Sequence, residues 1–138
     1  MQSLHKIAFL AVLAAPGLAP AADLAIHVDD VKGTAGVVMI AVFNSAQTFL
    51  KTPVAATGAP AAAAGSAIVI KDLPAGDYAF AVYHDTNGNG KMDRNSFGIP
   101  TEDYAFSNNA LGTMGPPSFD SARITVPAAG ATVRVSLK

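Results

Sequence analysis

The sequence predicts an all-β domain, a single antiparallel β-sandwich of six to seven short strands with one long structured loop. Three observations favour this fold. Apolar and polar residues alternate with a period of two along several short segments. Gly, Pro, Asn and Asp residues that favour turns separate these segments. No stretch after the N-terminus has a convincing helical period.

The N-terminal residues 1–21 have the pattern of a secretory signal peptide. Lys6 supplies a positive charge, residues 7–15 form an apolar run, and an Ala-Pro-Ala cleavage site lies at 19–21. We place cleavage after Ala21 or one residue later, which leaves 22–138 as one β-sandwich domain. The chain contains no Cys, so we expect neither a lipid anchor at the leader nor disulfides. The sequence therefore predicts an exported monomer, either periplasmic or secreted.

The charge of the chain is nearly balanced, with 9 Lys and Arg residues against 10 Asp and Glu residues. No basic run is present, which argues against nucleic acid and against an anionic membrane surface as partners. No apolar run after the leader reaches the roughly 18 residues of a membrane span, so we expect no membrane insertion.

The first strands are predicted at 24–29 and 36–44. The first alternates between apolar and polar residues, as a half-buried strand does, and His27 falls on its exposed face. The second is apolar on both faces, which favours a central strand that is covered on both sides. Residues 45–65 are rich in Pro and Ala and are predicted to form a mobile surface loop.

The next strands are predicted at 66–71 and 77–84, on either side of a turn that contains Pro and Gly. A Leu-Pro-x-Gly turn between strands is common in transthyretin-like and immunoglobulin-like sandwiches, which this part of the chain resembles. The last strands are predicted at 122–126 and 131–137, and residues 127–130 are predicted to join them as a hairpin.

The segment 94–121 has little periodicity and is too long for an ordinary turn. Loops of this length in compact domains are usually functional or are structured by their own packing. Tyr104, Phe106 and Phe119 are expected to form a core for the loop, or else a ligand platform. Asn108 and Asn109 either satisfy loop backbone groups or bind sugar hydroxyls. We expect the segment to fold across the outer face of the sheet.

The clearest candidate site follows the predicted strand 77–84 directly. Oxygen-bearing side chains recur at alternate positions, and Gly90 lies where a loop that wraps a cation must turn sharply. Calcium takes 6–8 oxygen ligands, including backbone carbonyls. With only two carboxylates, we expect weak binding, with a Kd of about 10⁻⁴–10⁻³ M. The predicted calcium ligands are two carboxylates, two amides and one backbone carbonyl: Asp85, Asp93, Asn87, Asn89 and Lys91.

This loop departs from an EF-hand in two respects. Position 12, which is Glu in that motif, is Ser96 here, and the loop is entered from a strand rather than a helix. Further oxygens would come from water or from the following segment, where Glu102, Asp103 or Asp120 could complete the shell. The alternative is an ordinary metal-free turn, because both Asn-Gly pairs in residues 87–90 favour turns.

Several blocks of the sequence, taken together, resemble a bacterial family of small exported proteins, domain-of-unknown-function family 2141. The resemblance covers nearly all of the chain after the leader. It implies export and a β-sandwich, and it supplies no catalytic residues. It also suggests that the Asn/Gly loop and the long segment act as one unit. The blocks lie at 73–79, 84–93, 97–100, 106–110 and 115–119.

Three hypotheses for the function follow from these patterns. The first is a non-enzymatic binding or accessory module of the cell envelope, in which a calcium loop at 84–93 orders the surface loop 94–121 for contact with a protein, peptide or glycan. The second is a purely structural, metal-free sandwich. The third is a small hydrolase that uses Glu102, Asp103 or His84. We prefer the first, because no Gly-x-Ser-x-Gly elbow is present and His84 suits a loop-anchoring hydrogen bond.

Overall fold

In the computed structural model, which describes residues 20–138, eight strands form two β-sheets that pack face to face. One short helix, α1, spans Phe119–Ala122, and single 3-10 turns span Ala61–Ala63 and Ser107–Asn109. No helix in this part of the chain is long and apolar enough to cross a membrane. The predicted leader lies almost entirely outside the described residues. The strands are β1 Ala21–Asp29, β2 Val37–Phe43, β3 Ala55–Pro60, β4 Ile68–Pro74, β5 Gly76–Asp85, β6 Tyr104–Phe106, β7 Ile124–Val126 and β8 Ala131–Ser136.

The smaller sheet has the strand order β4-β1-β8, and the larger has the order β3-β2-β5-β6, with β7 also paired to β5. Strand β1 runs antiparallel to β4 but parallel to β8, in a register from Leu24↔Ala131 to Asp29↔Ser136. The predicted β-sandwich is therefore confirmed. It has eight strands, and its smaller sheet is mixed because the first and last strands of the chain run side by side in the same direction.

Strands β2 and β5 of the larger sheet are covered on both faces, as the sequence of β2 predicted, with several outward-facing side chains half-buried. Their inner faces contribute Ile40 and Phe80 to the core between the sheets. Their outer faces are covered by a second cluster, in which Phe49 makes edge-to-face ring contacts with Phe43 at 5.4 Å and with Phe119 at 5.9 Å between centroids. Phe119 comes from the long segment, so the expectation that this segment folds across the outer face is confirmed.

Three local predictions were wrong. The region 45–65 is not simply a loop, because β3 pairs with β2 along its whole length. Residues 127–130 do not close a hairpin, because β7 pairs with β5 while β8 pairs with β1, so this connection crosses from one sheet to the other. Alternation alone cannot say which of two sheets a strand joins. His27 is half-buried rather than exposed, because β1 is the central strand of its sheet.

Candidate metal centre

The candidate loop begins where β5 ends, beside the start of β2. His84 and Asp85 are both buried, and each is only 1% exposed. The His84 Nε2 atom lies 2.7 Å from the carbonyl oxygen of Ala35, and the His84 backbone N–H donates to the carbonyl oxygen of Asp103 at 2.9 Å. His84 therefore fastens the loop to the β1–β2 connection on one side and to the long segment on the other, which agrees with its predicted anchoring role.

The Asp85 carboxylate is turned into the loop. Its Oδ1 accepts from the backbone N–H of Asn89 at 3.2 Å, and its Oδ2 accepts from the backbone N–H of Gly90 at 2.8 Å. Gly88 and Gly90 both have positive φ, at 67° and 79°, a conformation that glycine adopts without strain. The glycines thus let the backbone wrap around one carboxylate.

The Asp93 carboxylate closes the other end of the same loop. The side-chain amides of Asn87 and Asn89 donate to its two oxygens, at 2.6 Å and 2.7 Å respectively. These hydrogen bonds, first that from Asn89 and then that from Asn87, hold the pKa of Asp93 below its ordinary value, with a smaller contribution from Lys91. The structure therefore brings together the four side chains that the sequence motif predicted as calcium ligands.

The oxygens of both carboxylates already have partners, which are side-chain amides for Asp93 and backbone N–H groups for Asp85. Within residues 20–138, no group of three or more His, Asp or Glu side chains is placed to hold a metal ion. The amide nitrogens of Asn87 and Asn89 face Asp93, while their Oδ1 atoms accept from the backbone N–H groups of Asn89 and Lys91. For both amides to offer oxygen to a cation beside Asp93, their side chains would have to rotate.

A third carboxylate lies beside this loop. The backbone N–H of Asp93 donates to Glu102 Oε2 at 3.0 Å. Burial raises the pKa of Tyr83, and the negative charges of Asp85, Glu102 and Asp93 raise it further. The Asp93 N–H thus joins Glu102 to the end of the candidate loop. The sequence offered Glu102 only as one of three acidic candidates, because its distance along the chain from the motif fits no metal-binding spacing.

Residues 93–102 form a small hairpin, which returns Glu102 to the candidate loop. Its base is closed by the N–H of Thr101, which donates to the Asp93 carbonyl at 2.9 Å. Further along, the N–H of Asn95 donates to the Ile99 carbonyl at 2.9 Å. The tip presents Phe97 and Ile99 to solvent, at 86% and 58% exposure.

The other acidic candidates have partners elsewhere. Asp103 pairs with Lys32 at 2.9 Å, and Asp120 with Arg123 at 3.6 Å. Neither carboxylate makes a hydrogen bond to residues 85–93.

The paired asparagines of the long segment satisfy backbone groups, as one of the two predictions for them stated. The side-chain amide of Asn108 donates to the Arg123 carbonyl at 2.8 Å. The Oδ1 atom of Asn109 accepts from the N–H of Ser136 at 2.9 Å. Both contacts fasten the long segment to the closing strands.

Comparison with known proteins assigns this chain to a family. The model of a family described as "Uncharacterized protein conserved in bacteria" (DUF2141) matches residues 26–134. No curated protein and no solved structure matches the chain. The matched region runs from β1 to β8 and includes the whole candidate loop and the 93–102 hairpin. This chain belongs to the DUF2141 family.

Proposed function

We propose that this protein is a non-enzymatic binding module of the bacterial cell envelope, in which a calcium loop at 84–93 orders the surface segment 94–121 for contact with a protein, peptide or glycan. The distribution of exposed apolar side chains carries this proposal. Among the described residues, seven large hydrophobic side chains are exposed, and four of them lie in this one segment: Phe97, Ile99, Leu111 and Met114. Concentrations of exposed apolar side chains usually mark interaction sites.

The middle of the segment, residues 104–109, is hydrogen-bonded to the end of the domain. Tyr104 and Lys138 exchange two backbone hydrogen bonds, each 3.1 Å long. The hydrogen bonds of Asn108 and Asn109 fasten the next turn to the end of the domain. A partner that docks on a surface already held in place meets a smaller entropy cost than one that must order a free loop.

The calcium part of the proposal is supported by the chemistry of the loop. Two carboxylates and two amides lie within hydrogen-bonding distance of one another or of the same backbone groups. Oxygen ligands of this kind suit a hard divalent cation. A cation bound among them would link the end of β5 to the base of the 93–102 hairpin.

The metal-free sandwich is the second candidate, and one observation favours it. The side-chain amides of Asn87 and Asn89 already donate hydrogen bonds to both carboxylate oxygens of Asp93. A loop closed in this way needs no ion to satisfy the oxygens of Asp93. The two candidates differ in what happens when calcium is added.

The hydrolase hypothesis gains no support from the cavities. A cavity of about 300 Å³ lies between β3 and β4, and its lining is mostly Val and Ala. A second cavity, of about 90 Å³, lies beside β6. Neither is lined by Asp or Glu, whereas a hydrolase of the predicted kind needs carboxylates that converge on a concave site.

Thermal unfolding with millimolar calcium and then with a chelator tests whether the protein binds calcium. At a calcium concentration about ten times the Kd, binding contributes about 1.4 kcal/mol, which should raise Tm by about 3–6 °C. Asp85→Ala should remove this rise. A wild-type Tm that is the same in both buffers would instead favour the metal-free sandwich.

Site-directed photocrosslinking in the producing cells tests the surface. A photoreactive amino acid at position 97 should give discrete adducts, and fewer of them when calcium is chelated. The matched control is position 69, because Val69 is also exposed, at 41%, but lies on β4 in the other sheet. Equal adducts from both positions would contradict a specific role for the 94–121 segment.

A further inference from the structure

The candidate loop contains two Asn-Gly pairs, Asn87-Gly88 and Asn89-Gly90, whose asparagine side chains are hydrogen-bonded in the same way. Both asparagines and both glycines are exposed. Each side-chain amide donates to one oxygen of Asp93, and each Oδ1 accepts from the backbone N–H two residues further on. No other Asn of the chain precedes a glycine. The two pairs therefore form a matched comparison within one loop.

The backbone N–H groups of the two glycines have different partners. The Gly90 N–H donates to Oδ2 of Asp85 at 2.8 Å, and Asp85 is only 1% exposed. The Gly88 N–H makes no hydrogen bond to any of residues 20–138. Hydrogen bonds to a charged acceptor are about twice as strong as those between neutral groups. The Gly90 nitrogen is therefore held in place, whereas no such bond restrains the Gly88 nitrogen.

An asparagine that precedes glycine can lose its side-chain amide spontaneously, because glycine has no Cβ to hinder attack by its own backbone nitrogen. That nitrogen loses its proton to solvent and forms a bond to Cγ of the asparagine. The Cγ–Nδ2 bond breaks, and Nδ2 takes up a proton and leaves as ammonia. Water then opens the resulting succinimide ring on either side of its nitrogen, which gives aspartate or isoaspartate. The net change is one water consumed for one ammonia released, with no electron transfer.

We propose that Asn87 is a site of spontaneous deamidation in the folded protein, and that Asp85 protects Asn89 from the same reaction. For Asn89 to react, the Gly90 nitrogen would have to leave its bond to Asp85 and carry a negative charge beside that carboxylate. Neither obstacle applies to the Gly88 nitrogen. This inference depends neither on calcium nor on a partner of the long segment.

Deamidation at Asn87 removes a contact that closes the loop. The aspartate product cannot donate to Asp93 as the amide does, and it places a second negative charge beside that carboxylate. The isoaspartate product also lengthens the main chain of residue 87 by one methylene group, within the turn that wraps Asp85. Hydrogen exchange at the amides of Asn89 and Gly90 should therefore become faster once either product forms.

Peptide mass spectrometry tests the proposal on the purified chain, aged in mildly alkaline buffer that contains a chelator. Trypsin releases one peptide, residues 72–91, that contains both asparagines, and its fragment ions assign the change in mass to position 87 or 89. We expect deamidation at 87 to be at least about tenfold faster than at 89, because at Gly90 a hydrogen bond to a charged group must first break. The matched control is the guanidinium-unfolded chain, in which the two positions should react at similar rates.

Asp85→Ala tests the protecting role of the carboxylate. It frees the Gly90 N–H, so deamidation at 89 should rise toward the rate at 87 while the amides of β1 keep their slow hydrogen exchange, which shows that the variant is folded. An unchanged slow reaction at 89 in the folded variant would overturn this role. If the variant does not fold, the wild-type comparison decides alone. Folded wild type that reacts equally at both positions, faster at 89, or at neither while the unfolded chain is converted, would overturn the proposal.

Discussion

The side-chain hydroxyl of Ser107 makes the hydrogen bond to the Phe80 backbone that a neighbouring strand would otherwise make. It accepts a hydrogen bond from the Phe80 N–H at 2.9 Å and donates to the carbonyl oxygen of Ala122 at 2.5 Å. Strand β7 pairs with β5 at residues 76–78 and β6 pairs with it at 81–83, so Phe80 lies between the two pairings. One fully buried side chain therefore connects the long segment, the central strand and the helix before β7.

Replacing Ser107 by Ala should destabilise the domain. The Phe80 N–H would lose the acceptor Oγ in a fully buried site, and such a loss costs about 1–3 kcal/mol. Urea unfolding of the two proteins measures the difference. Ser66→Ala is the control, because Ser66 is exposed and should change the free energy of unfolding by less than about 0.5 kcal/mol. Equal stabilities of the two variants would contradict a bridging role for Ser107.

Replacing Gly36 by Ala should be more damaging than the same change at Gly33. Both glycines have positive φ, at 76° and 80°, so both substitutions introduce backbone strain. At Gly33 an added Cβ meets nothing within 4 Å, whereas at Gly36 it would lie 2.0 Å from the backbone oxygen of Asp85. We expect a loss of about 1–2 kcal/mol for Gly33→Ala and more than about 3 kcal/mol for Gly36→Ala.

Chemical denaturation of both variants measures their free energies of unfolding. Because both substitutions introduce the same backbone strain, the difference between them reports the steric contact with the backbone oxygen of Asp85. If Gly36→Ala is folded, it should also bind calcium more weakly, because its Cβ displaces the residue that starts the candidate loop. Losses of equal size for Gly33→Ala and Gly36→Ala would show that the β1–β2 connection moves aside without cost.

The loop should open in acid when calcium is absent. The pKa of Asp93 is lowered in the folded protein from an ordinary value of 3.8, mainly by the hydrogen bond from Asn89. A group whose pKa is lowered by folding contributes to the stability of the folded form. This contribution is fully present above the unfolded pKa and is lost as the pH falls through the folded pKa. We therefore expect the loop to stay closed above about pH 5 and to open only as the pH falls below 3.8 and through the lowered pKa of Asp93.

The side-chain amide signals of Asn87 and Asn89 in NMR spectra report this opening. In the wild type they should shift together as the pH is lowered into the range where Asp93 binds a proton. Asp93→Asn removes the titrating group, so the transition should be absent from its spectra. A transition of the same midpoint in the variant would assign the acid sensitivity to another group.

How far the sequence predicts this fold depends on how much of each strand is encoded locally. Strands β1 and β8 alternate clearly and were predicted within a few residues. Strand β3, with the sequence Ala-Ala-Thr-Gly-Ala-Pro, has little intrinsic preference for a strand, and its pairing with β2 supplies what the local sequence lacks. Gly58 in its centre makes room for Met39 and Val37 of β2, a reason that only the paired structure reveals.

The candidate site was likewise predictable from the sequence only in part. The side chains from Asp85 to Asp93 lie within one turn-rich loop, so their spacing alone predicts that they meet. Glu102 reaches the same place only because the 93–102 hairpin closes, and no spacing rule encodes the length of that hairpin. The cross-sheet course of residues 127–130 was missed for the related reason that tertiary packing, not local sequence, selects the partner strand.

Replacing Asn89 by Asp should have opposite effects with and without calcium. Without calcium, the variant loses the 2.7 Å hydrogen bond from Asn89 to Asp93 and places two negative charges together, which should lower the free energy of unfolding. With calcium, a third carboxylate in the loop should strengthen binding by about tenfold, because calcium affinity rises with the number of charged ligands. Calorimetry and chelator-buffered unfolding measure the two effects separately.

Asn95→Asp is the matched control for this prediction. Asn95 Oδ1 accepts from the N–H groups of Phe97 and Ile99, and an aspartate oxygen can accept both bonds. The control therefore adds the same charge on the neighbouring hairpin without adding a ligand, and it should change the calcium Kd by no more than about twofold. If Asn89→Asp and Asn95→Asp strengthen calcium binding equally, the gain comes from overall charge. Position 89 would then not contribute a calcium ligand.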